Sequence, residues 1–304
     1  MFRTRALAVA AVATTALALT ACGSDSLSSD SSSSASATTS TGTPSVDPAL
    51  VAKLPASIKS AGVIKIGTDP TYAPNQFLDA DGKTVKGLDV DLFDAVAAKF
   101  GMKTEWVPAG FGTIILGVDS GKFDVGVSSF TINAERLQQA TMVSYFNAGT
   151  QWIVAQGNPK QVNIDNACGM NIGAQKDTVQ VDDLTARSKT CTDAGKPEIN
   201  IIVDADQGKV TTNLVSGKTD AMLADSPVGL YAIQQTNGGL EALGDIYDAA
   251  PYGYVLPKDQ TEFGQAIADA LKSLDASGDY KTILTTWGNE TGAISDFAVN
   301  PSVK

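Results

Sequence analysis

The chain has 304 residues, sets 33 acidic against 22 basic side chains for a formal net charge of −11, and contains no histidine. A balance this acidic argues against nucleic acid as a partner. The missing histidine excludes His-dependent triads and histidine metal sites, and no motif calls for a metal or an organic cofactor.

Residues 1–22 read as an export signal, with Arg3 and Arg5 as the positive start and Ala6 to Leu19 as an apolar core too short for a membrane span. The segment ends Leu19-Thr20-Ala21-Cys22-Gly23, which resembles the bacterial lipobox and so implies cleavage before Cys22 and lipidation of its thiol. The alternative is a plain secretory signal with a chance cysteine. More than one acyl chain on Cys22 gives stable membrane attachment. Residues 23–57 are assigned to a tether. Its Ser/Thr/Ala-rich part, up to about residue 48, cannot bury a core and is expected to be disordered, with a mean reach on the order of 30 Å.

The remaining roughly 250 residues suffice for one large domain or two small lobes. Val63–Thr68 reads as the first strand, followed by a turn-rich loop from Asp69 to Pro74. Gly87-Leu88-Asp89-Val90-Asp91-Leu92 opens a helix whose stripe Leu88, Leu92, Phe93, Val96, Ala97 and Phe100 faces a core, and Gly101 ends it. Asp89 and Asp91 read as capping, dipole-compensating carboxylates away from any site, rather than as a metal pair. Thr104–Val107 is the second strand, and the alternation of strands and helices from there implies a parallel, helix-covered sheet.

Phe123-Asp124-Val125-Gly126-Val127 reads as a buried strand that runs into Ser128-Ser129-Phe130-Thr131-Ile132-Asn133-Ala134-Glu135-Arg136. Asn133 is a helix N-cap, and Arg136, near the third helical position, leans back over the loop. Thr131 and Arg136 can converge there on one carboxylate, which the guanidinium grips bidentately. Ser120-Gly121-Lys122-Phe123-Asp124-Val125 recurs as Ser216-Gly217-Lys218-Thr219-Asp220-Ala221, and five residues beyond the shared Asp lie Ser129 and Asp225. In open α/β sheets ligands bind at the carboxyl ends of strands, so two similar halves can face each other with Ser129 on one wall and Asp225, an acceptor for an ammonium group, on the other. Thr178 starts a helix whose backbone can donate to an anion. Tyr72 and Phe111 are loop aromatics able to flank an aliphatic chain. Each of these residues also has a purely structural reading, as a cap or as core. Cys168 and Cys191 remain after Cys22; in an oxidising compartment they are expected to pair, closing a loop of roughly 24 residues worth about 3 kcal/mol. The alternative is two separate buried thiols.

Taken in order, these residues resemble the extracytoplasmic solute-binding proteins, family 3, of polar amino acid ABC importers. The matches run from Gly67-Thr68-Asp69-Pro70-Thr71-Tyr72 through Gly87 to Leu92, Ser120 to Asp124, Ser129-Phe130-Thr131-Ile132 with Glu135-Arg136, Gln175 with Thr178, Asp225-Ser226-Pro227-Val228 and Pro251-Tyr252-Gly253. The resemblance implies an α/β, type II periplasmic-binding-protein fold: two lobes, residues 58–149 with 253–304 and residues 150–252, each with its own sheet and joined by two crossing strands. It implies a ligand set of Asp69, Tyr72, Phe111, Ser129, Phe130, Thr131, Arg136, Gln175, Thr178 and Asp225. In that set Arg136, Thr131 and Thr178 take the α-carboxylate, Asp225 the α-ammonium, and Asp69 lies near the side chain. It further implies a monomer, lipid-anchored on the outer face of the bacterial cytoplasmic membrane, that hands an amino acid to an ABC permease with its ATPase. Asn75-Gln76, Gly112-Thr113 and Lys176-Asp177 depart from the family pattern. Asp69 and Asp177 lean toward a cationic or amide side chain, and Lys176 pulls the other way. Two competing readings are a cyclohexadienyl dehydratase-like enzyme, with Asp69 or Asp177 as acid or base, and a lipoprotein sensor without transport.

Overall fold

A computed structural model describes residues 46–303; the export signal, Cys22 and most of the expected tether lie outside them. The expected tether ends too late. Asp47 caps helix α1 (Pro48–Ala52), its side chain accepting from the Ala49 N–H at 2.9 Å, and α2 (Ala56–Ala61) follows. Leu50, Leu54 and Ile58 are buried in the largest core cluster. Their spacing of four residues makes one apolar face, which the polar composition of the neighbouring run conceals.

Each half of the molecule repeats one pattern. In the first, β1 (Val63–Thr68) lies parallel between β5 (Lys103–Pro108) and β6 (Val125–Thr131). The loop after β1 folds into a small sheet of β2 (Thr71–Tyr72), β3 (Gln76–Leu78) and β4 (Val85–Lys86). In the second half, β8 (Asn171–Gln175) lies parallel between β9 (Asn200–Asp204) and β10 (Ala221–Asp225). Two long antiparallel strands, β7 (Thr141–Ala155) and β11 (Leu240–Leu256), complete both groups. The last residues of β11 pair with β6, and the last residues of β7 pair with β10.

The hydrogen-bonded order is therefore β5-β1-β6-β11-β7-β10-β8-β9, one eight-stranded ladder. This corrects the expectation of two separate sheets. The crossing strands are elements of 15 and 17 residues, long enough to pair with each other and still serve both halves. Their mutual register shifts between Leu243 and Ala250, midway along β11. The lobes are instead separated by their cores. One set of apolar clusters is built from α3 (Leu88–Lys99), α4 (Ile114–Asp119), α9 (Thr261–Ser277) and α10 (Asp279–Thr286) against the first half of the sheet. Another is built from α6 (Val179–Asp193), α7 (Gln207–Val215) and α8 (Ser226–Gln235) against the second. A small cluster of Tyr72, Ala224 and Val228 spans the two.

The sequence echo is a repeat of hydrogen bonding. Gly121 and Gly217 both hold φ at 74°, where a side chain is disfavoured, and turn the chain into β6 and β10. The Asp124 N–H donates to the Lys65 carbonyl at 2.8 Å while its carboxylate accepts from the Lys65 N–H at 2.8 Å. The Asp220 N–H donates to the Asn171 carbonyl at 2.7 Å, and its carboxylate accepts from the Asn171 N–H at 2.9 Å. Each Asp acts as an extra rung tying the third strand of its half to the first, which aligns the ends of β6 and β10 on the two sides of the cleft.

Cys168, just before β8, is bonded to Cys191 in the last turn of α6. Neither lines the cleft described below. Replacing both by Ala is expected to lower unfolding stability by about 3 kcal/mol in a denaturant titration and to leave ligand affinity unchanged. A stability equal to that of the natural chain contradicts the account.

Candidate functional site

The carboxyl ends of β1, β6, β8 and β10 meet around a closed cavity lined by Asp69, Tyr72, Gln76, Phe111, Ser128, Ser129, Thr131, Arg136, Gln175, Thr178, Val179, Gln180 and Asp225. Nine of the ten residues named from the sequence reach it. Phe130 does not: it points into the core one layer behind, its ring stacked on Phe111 with centroids 4.5 Å apart.

Arg136 sits where the helix start predicts. Asn133 caps α5 (Ala134–Gln139) by accepting from the Arg136 N–H at 2.8 Å, and the side chain folds back so that Nη1 donates to the Thr131 carbonyl at 2.8 Å. Its guanidinium carbon lies 5.3 Å from the Phe111 ring centre and 5.4 Å from that of Phe130, a cation–π seat. Nη2 reaches across the cleft to the Asp177 carbonyl at 3.4 Å. Burial lowers the Arg136 pKa from its ordinary value, opposed by the charges of Asp225, Asp182 and Glu135.

Asp225 stands at the N-cap position of α8, followed by Pro227, yet its side chain makes no cap hydrogen bond. The carboxylate instead accepts from the Tyr72 hydroxyl at 2.9 Å, the Tyr252 hydroxyl at 2.8 Å and Gln180 Nε2 at 2.7 Å. Burial raises its pKa; the three neutral donors and Arg136 pull it back down. Thr178 also occupies an N-cap position without capping: its hydroxyl donates backward to the Gln175 carbonyl at 2.7 Å. Thr178, Val179 and Gln180, which open α6, line the cavity, and the first backbone N–H groups of a helix have no partner within it.

Asp69 is a second buried acid in the same cavity. It accepts from the Phe111 N–H and from Gln175 Nε2, each at 3.1 Å, and burial raises its pKa. Asp177 does not join it. The residue is exposed, with φ at 63°, and its carboxyl group covers the backbone of Gly112, occupying the space that a Cβ there would take. The two sequence departures Gly112 and Asp177 are thus one contact across the mouth of the cleft. Lys176 is exposed and lines no part of the cavity. Of the third departure, Asn75 lies beneath the floor, its Nδ2 donating to Ser129 Oγ at 2.9 Å, while Gln76 lines the cavity and its Nε2 donates to Ser128 Oγ at 3.2 Å.

Asp89 requires a correction. It is fully buried rather than a helix-start carboxylate away from the site, and its Oδ2 accepts from both the N–H and the hydroxyl of Ser129, each at 3.0 Å. Gln180 and Tyr252, which hold Asp225, and the wall residues Ser128 and Val179 were also missed. Gln180 lies two residues past Thr178 and carries no local signal; only the facing of α6 toward β10 gives it a role.

The cavity leaves about 10 Å³ of free space, room for about one water molecule. An organic ligand therefore enters only if the walls part. Those walls touch mainly through polar groups: Tyr72 with Asp225, Gln175 with Asp69, Arg136 with the Asp177 carbonyl, and the Gln207 N–H with Thr71 Oγ1 at 3.3 Å.

The chain matches the family model described as bacterial extracellular solute-binding proteins, family 3, over residues 64–290. It is 33% identical over 258 residues to an arginine-binding protein of Corynebacterium glutamicum, covering 84% of each chain. It is 29% identical over 227 residues to the lysine/arginine/ornithine-binding periplasmic protein of Escherichia coli, covering 71% of this chain and 84% of that one. Among solved structures, an ancestral arginine-binding protein bound to arginine superposes with a TM-score of 0.67 at 31% identity, over 74% of this chain and 98% of that one. An ancestral amino acid-binding protein described as a precursor of cyclohexadienyl dehydratase superposes with a TM-score of 0.67 at 26% identity, over 76% and 97%. The architecture is the type II periplasmic-binding-protein fold.

Burial pushes the Asp89 pKa up to about 7 from an ordinary 3.8. Between those values the folded chain holds a proton that the unfolded chain has released. The stabilising contribution is complete below about pH 4 and is lost as pH rises through about 7. Asp89→Asn cannot ionise. In urea unfolding, its stability relative to the natural chain is expected to rise between about pH 5 and about pH 8. A flat difference across that window means that Asp89 titrates as an ordinary carboxylate.

Proposed function

The chain belongs to the bacterial extracellular solute-binding proteins, family 3, and we propose that it captures a cationic amino acid, L-arginine foremost, between its two lobes. One arrangement carries the reading: Arg136 and Asp225 line one buried cavity from opposite lobes, and a second acid, Asp69, lines it with them. A zwitterion with a basic side chain presents one anionic and two cationic groups, which this set matches.

In the proposed complex Arg136 grips the α-carboxylate, with Thr131 and the backbone at the start of α6, next to Thr178, as further donors. Asp225 receives the α-ammonium, displacing the Tyr72 hydroxyl or sharing its carboxylate with it. Tyr72 and Phe111 flank the aliphatic stem, Ser129 lies in the wall beside them, and Asp69 with Gln175 meets the basic head. The first lobe, proposed as residues 58–149 with 253–304, supplies Arg136; the second, 150–252, supplies Asp225. Both charges of the ligand are satisfied only when the lobes are together, so the ligand binds the closed state better and that difference drives closure. The names of the two arginine-related relatives support the side-chain assignment.

The same reading places the mature protein on the outer face of the cytoplasmic membrane, held through lipidated Cys22, as the receptor that delivers its ligand to an ABC permease and its ATPase. The enzyme alternative needs an acid or base above the substrate. Asp177 lies over Gly112 outside the cavity, and Asp69, which lines it, already accepts two hydrogen bonds; both observations support a binding role over an acid–base one.

Removing one partner of a desolvated charge pair costs roughly 2–5 kcal/mol, or about 30-fold to several-thousand-fold in affinity. Arg136→Ala and Asp225→Ala are each expected to show such a loss for L-arginine in calorimetric titration while remaining folded. Asp69→Asn is expected to reduce the preference for arginine over glutamine by about 10-fold. Tighter binding of glutamate than of arginine or lysine by the natural chain overturns the proposed ligand class.

A further inference from the structure

The pairing of β6 with β11 breaks directly beside the cavity. Thr131 and Phe130 pair with Tyr252 and Gly253, but the next pairing is Gly126 with Val255, so β6 carries surplus residues between 126 and 130. Ser129 lies in that bulge with φ at 53°, a left-handed conformation that a serine adopts only when its surroundings impose it. Bulges of this kind re-aim side chains next to binding sites. Here the bulge turns Ser129 into the cavity wall, one residue before Phe130 and two before Thr131, whose carbonyl anchors Arg136.

We infer that Asp89 is a positioning residue for ligand binding: it holds Ser129 in its left-handed conformation and thereby sets the end of β6 on which Thr131 and Arg136 depend. A single carboxylate oxygen takes both the Ser129 N–H, which the bulge removes from the sheet ladder, and the Ser129 hydroxyl, each at 3.0 Å. A buried backbone N–H left without an acceptor is costly, and Asp89 supplies that acceptor. The helix start delivers it. Leu88 and Asp89 donate backbone N–H groups to the carbonyls of Pro74 and Asn75 at 3.1 and 2.9 Å, which docks the beginning of α3 on the floor of the cleft. Asn75 and Gln76 complete the cage around the Ser129 hydroxyl, at 2.9 and 3.2 Å. The titratable groups facing Asp89 are Tyr145 of β7, whose hydroxyl favours the charged carboxylate, and Tyr254 of β11, while the charge of Asp225 across the cleft opposes it; none replaces its bonds to Ser129.

The inference rests on the reading of the cavity as an amino acid site, and its test separates the two. Asp89→Ala, Asp89→Asn, Ser129→Gly and the double variant Asp89→Ala with Ser129→Gly are titrated with L-arginine, and hydrogen–deuterium exchange is followed in residues 125–131. Asp89→Ala is expected to bind about 10-fold more weakly or worse, and Asp89→Asn, which keeps an acceptor oxygen, to stay within about 3-fold. Glycine takes positive φ freely, so in the Ser129→Gly background the Asp89→Ala change is expected to cost less than about 2-fold, the non-additivity of a coupled pair. Exchange in 125–131 is expected to accelerate in Asp89→Ala and not in Asp89→Asn. If the natural chain does not bind arginine, the ligand assignment fails while the exchange experiment still decides the role of Asp89. Should Asp89→Ala not fold, the same measurements are made on Asp89→Ser, whose shorter side chain falls away from both donors. Unchanged affinity and exchange without the carboxylate, or an equal loss in the Ser129→Gly background, overturns the inference.

Discussion

Around one cavity at the centre of this molecule Arg136, Asp225 and Asp69 are buried without an ion-pair partner among the described residues. A buried charge is tolerated only when it is surrounded by well-placed dipoles or matched by an opposite charge. Much of the local architecture answers that requirement. Two backbone carbonyls take Arg136, three neutral donors take Asp225, and a backbone amide with one side-chain amide takes Asp69. Neutral partners offset part of the cost of burying these groups without cancelling their charge. On the proposed reading, the field of the site is left for a ligand whose own charges have the opposite signs.

The same requirement explains the division of labour between apolar and polar contacts. Within each lobe, helices and strands bury continuous apolar clusters. Between the lobes, apart from the cluster of Tyr72, Ala224 and Val228, the Phe77–Tyr231 ring pair and the packing of Asp177 on Gly112, the contacts on the cleft side are mainly hydrogen bonds. Separation of such a boundary exposes little apolar surface, and water replaces the lost hydrogen bonds. The crossing strands β7 and β11 remain paired, so parting of the walls is a bend in a shared ribbon whose register is already irregular at its middle.

The loop from Ser128 to Arg136 was legible because its signals are local: an apolar strand, a capping Asn133 and an Arg within one helical turn. The repeat around Asp124 and Asp220 was legible because the same residues solve the same turn twice. Asp89 was misread for the same reason in reverse. A carboxylate at the start of a helix looks like a cap, and nothing within its own stretch says that β6 brings an unsatisfied N–H to it. Phe130 was named with its neighbours from the family resemblance, yet Ser129 and Thr131 on either side of it line the cavity while Phe130 faces the opposite way, into a core cluster. Asp177 looked like a ligand acid until Gly112, more than sixty residues earlier in the chain, was found beneath it.

Short-range physics is thus written in the order of residues. Strand and helix boundaries, the turn glycines, the helix start that carries Arg136 and the alternation that demands a parallel sheet all follow from interactions within a few positions. So does the choice of Asp225 as a site residue, once the repeat is seen. Which acid faces the cavity and which lies outside it, which donors saturate Asp225, and why Ser129 holds a conformation that serine avoids were decided only by the tertiary structure. Each depends on where separate segments meet, and the energy of a buried polar group is set by partners that the chain brings together only by folding.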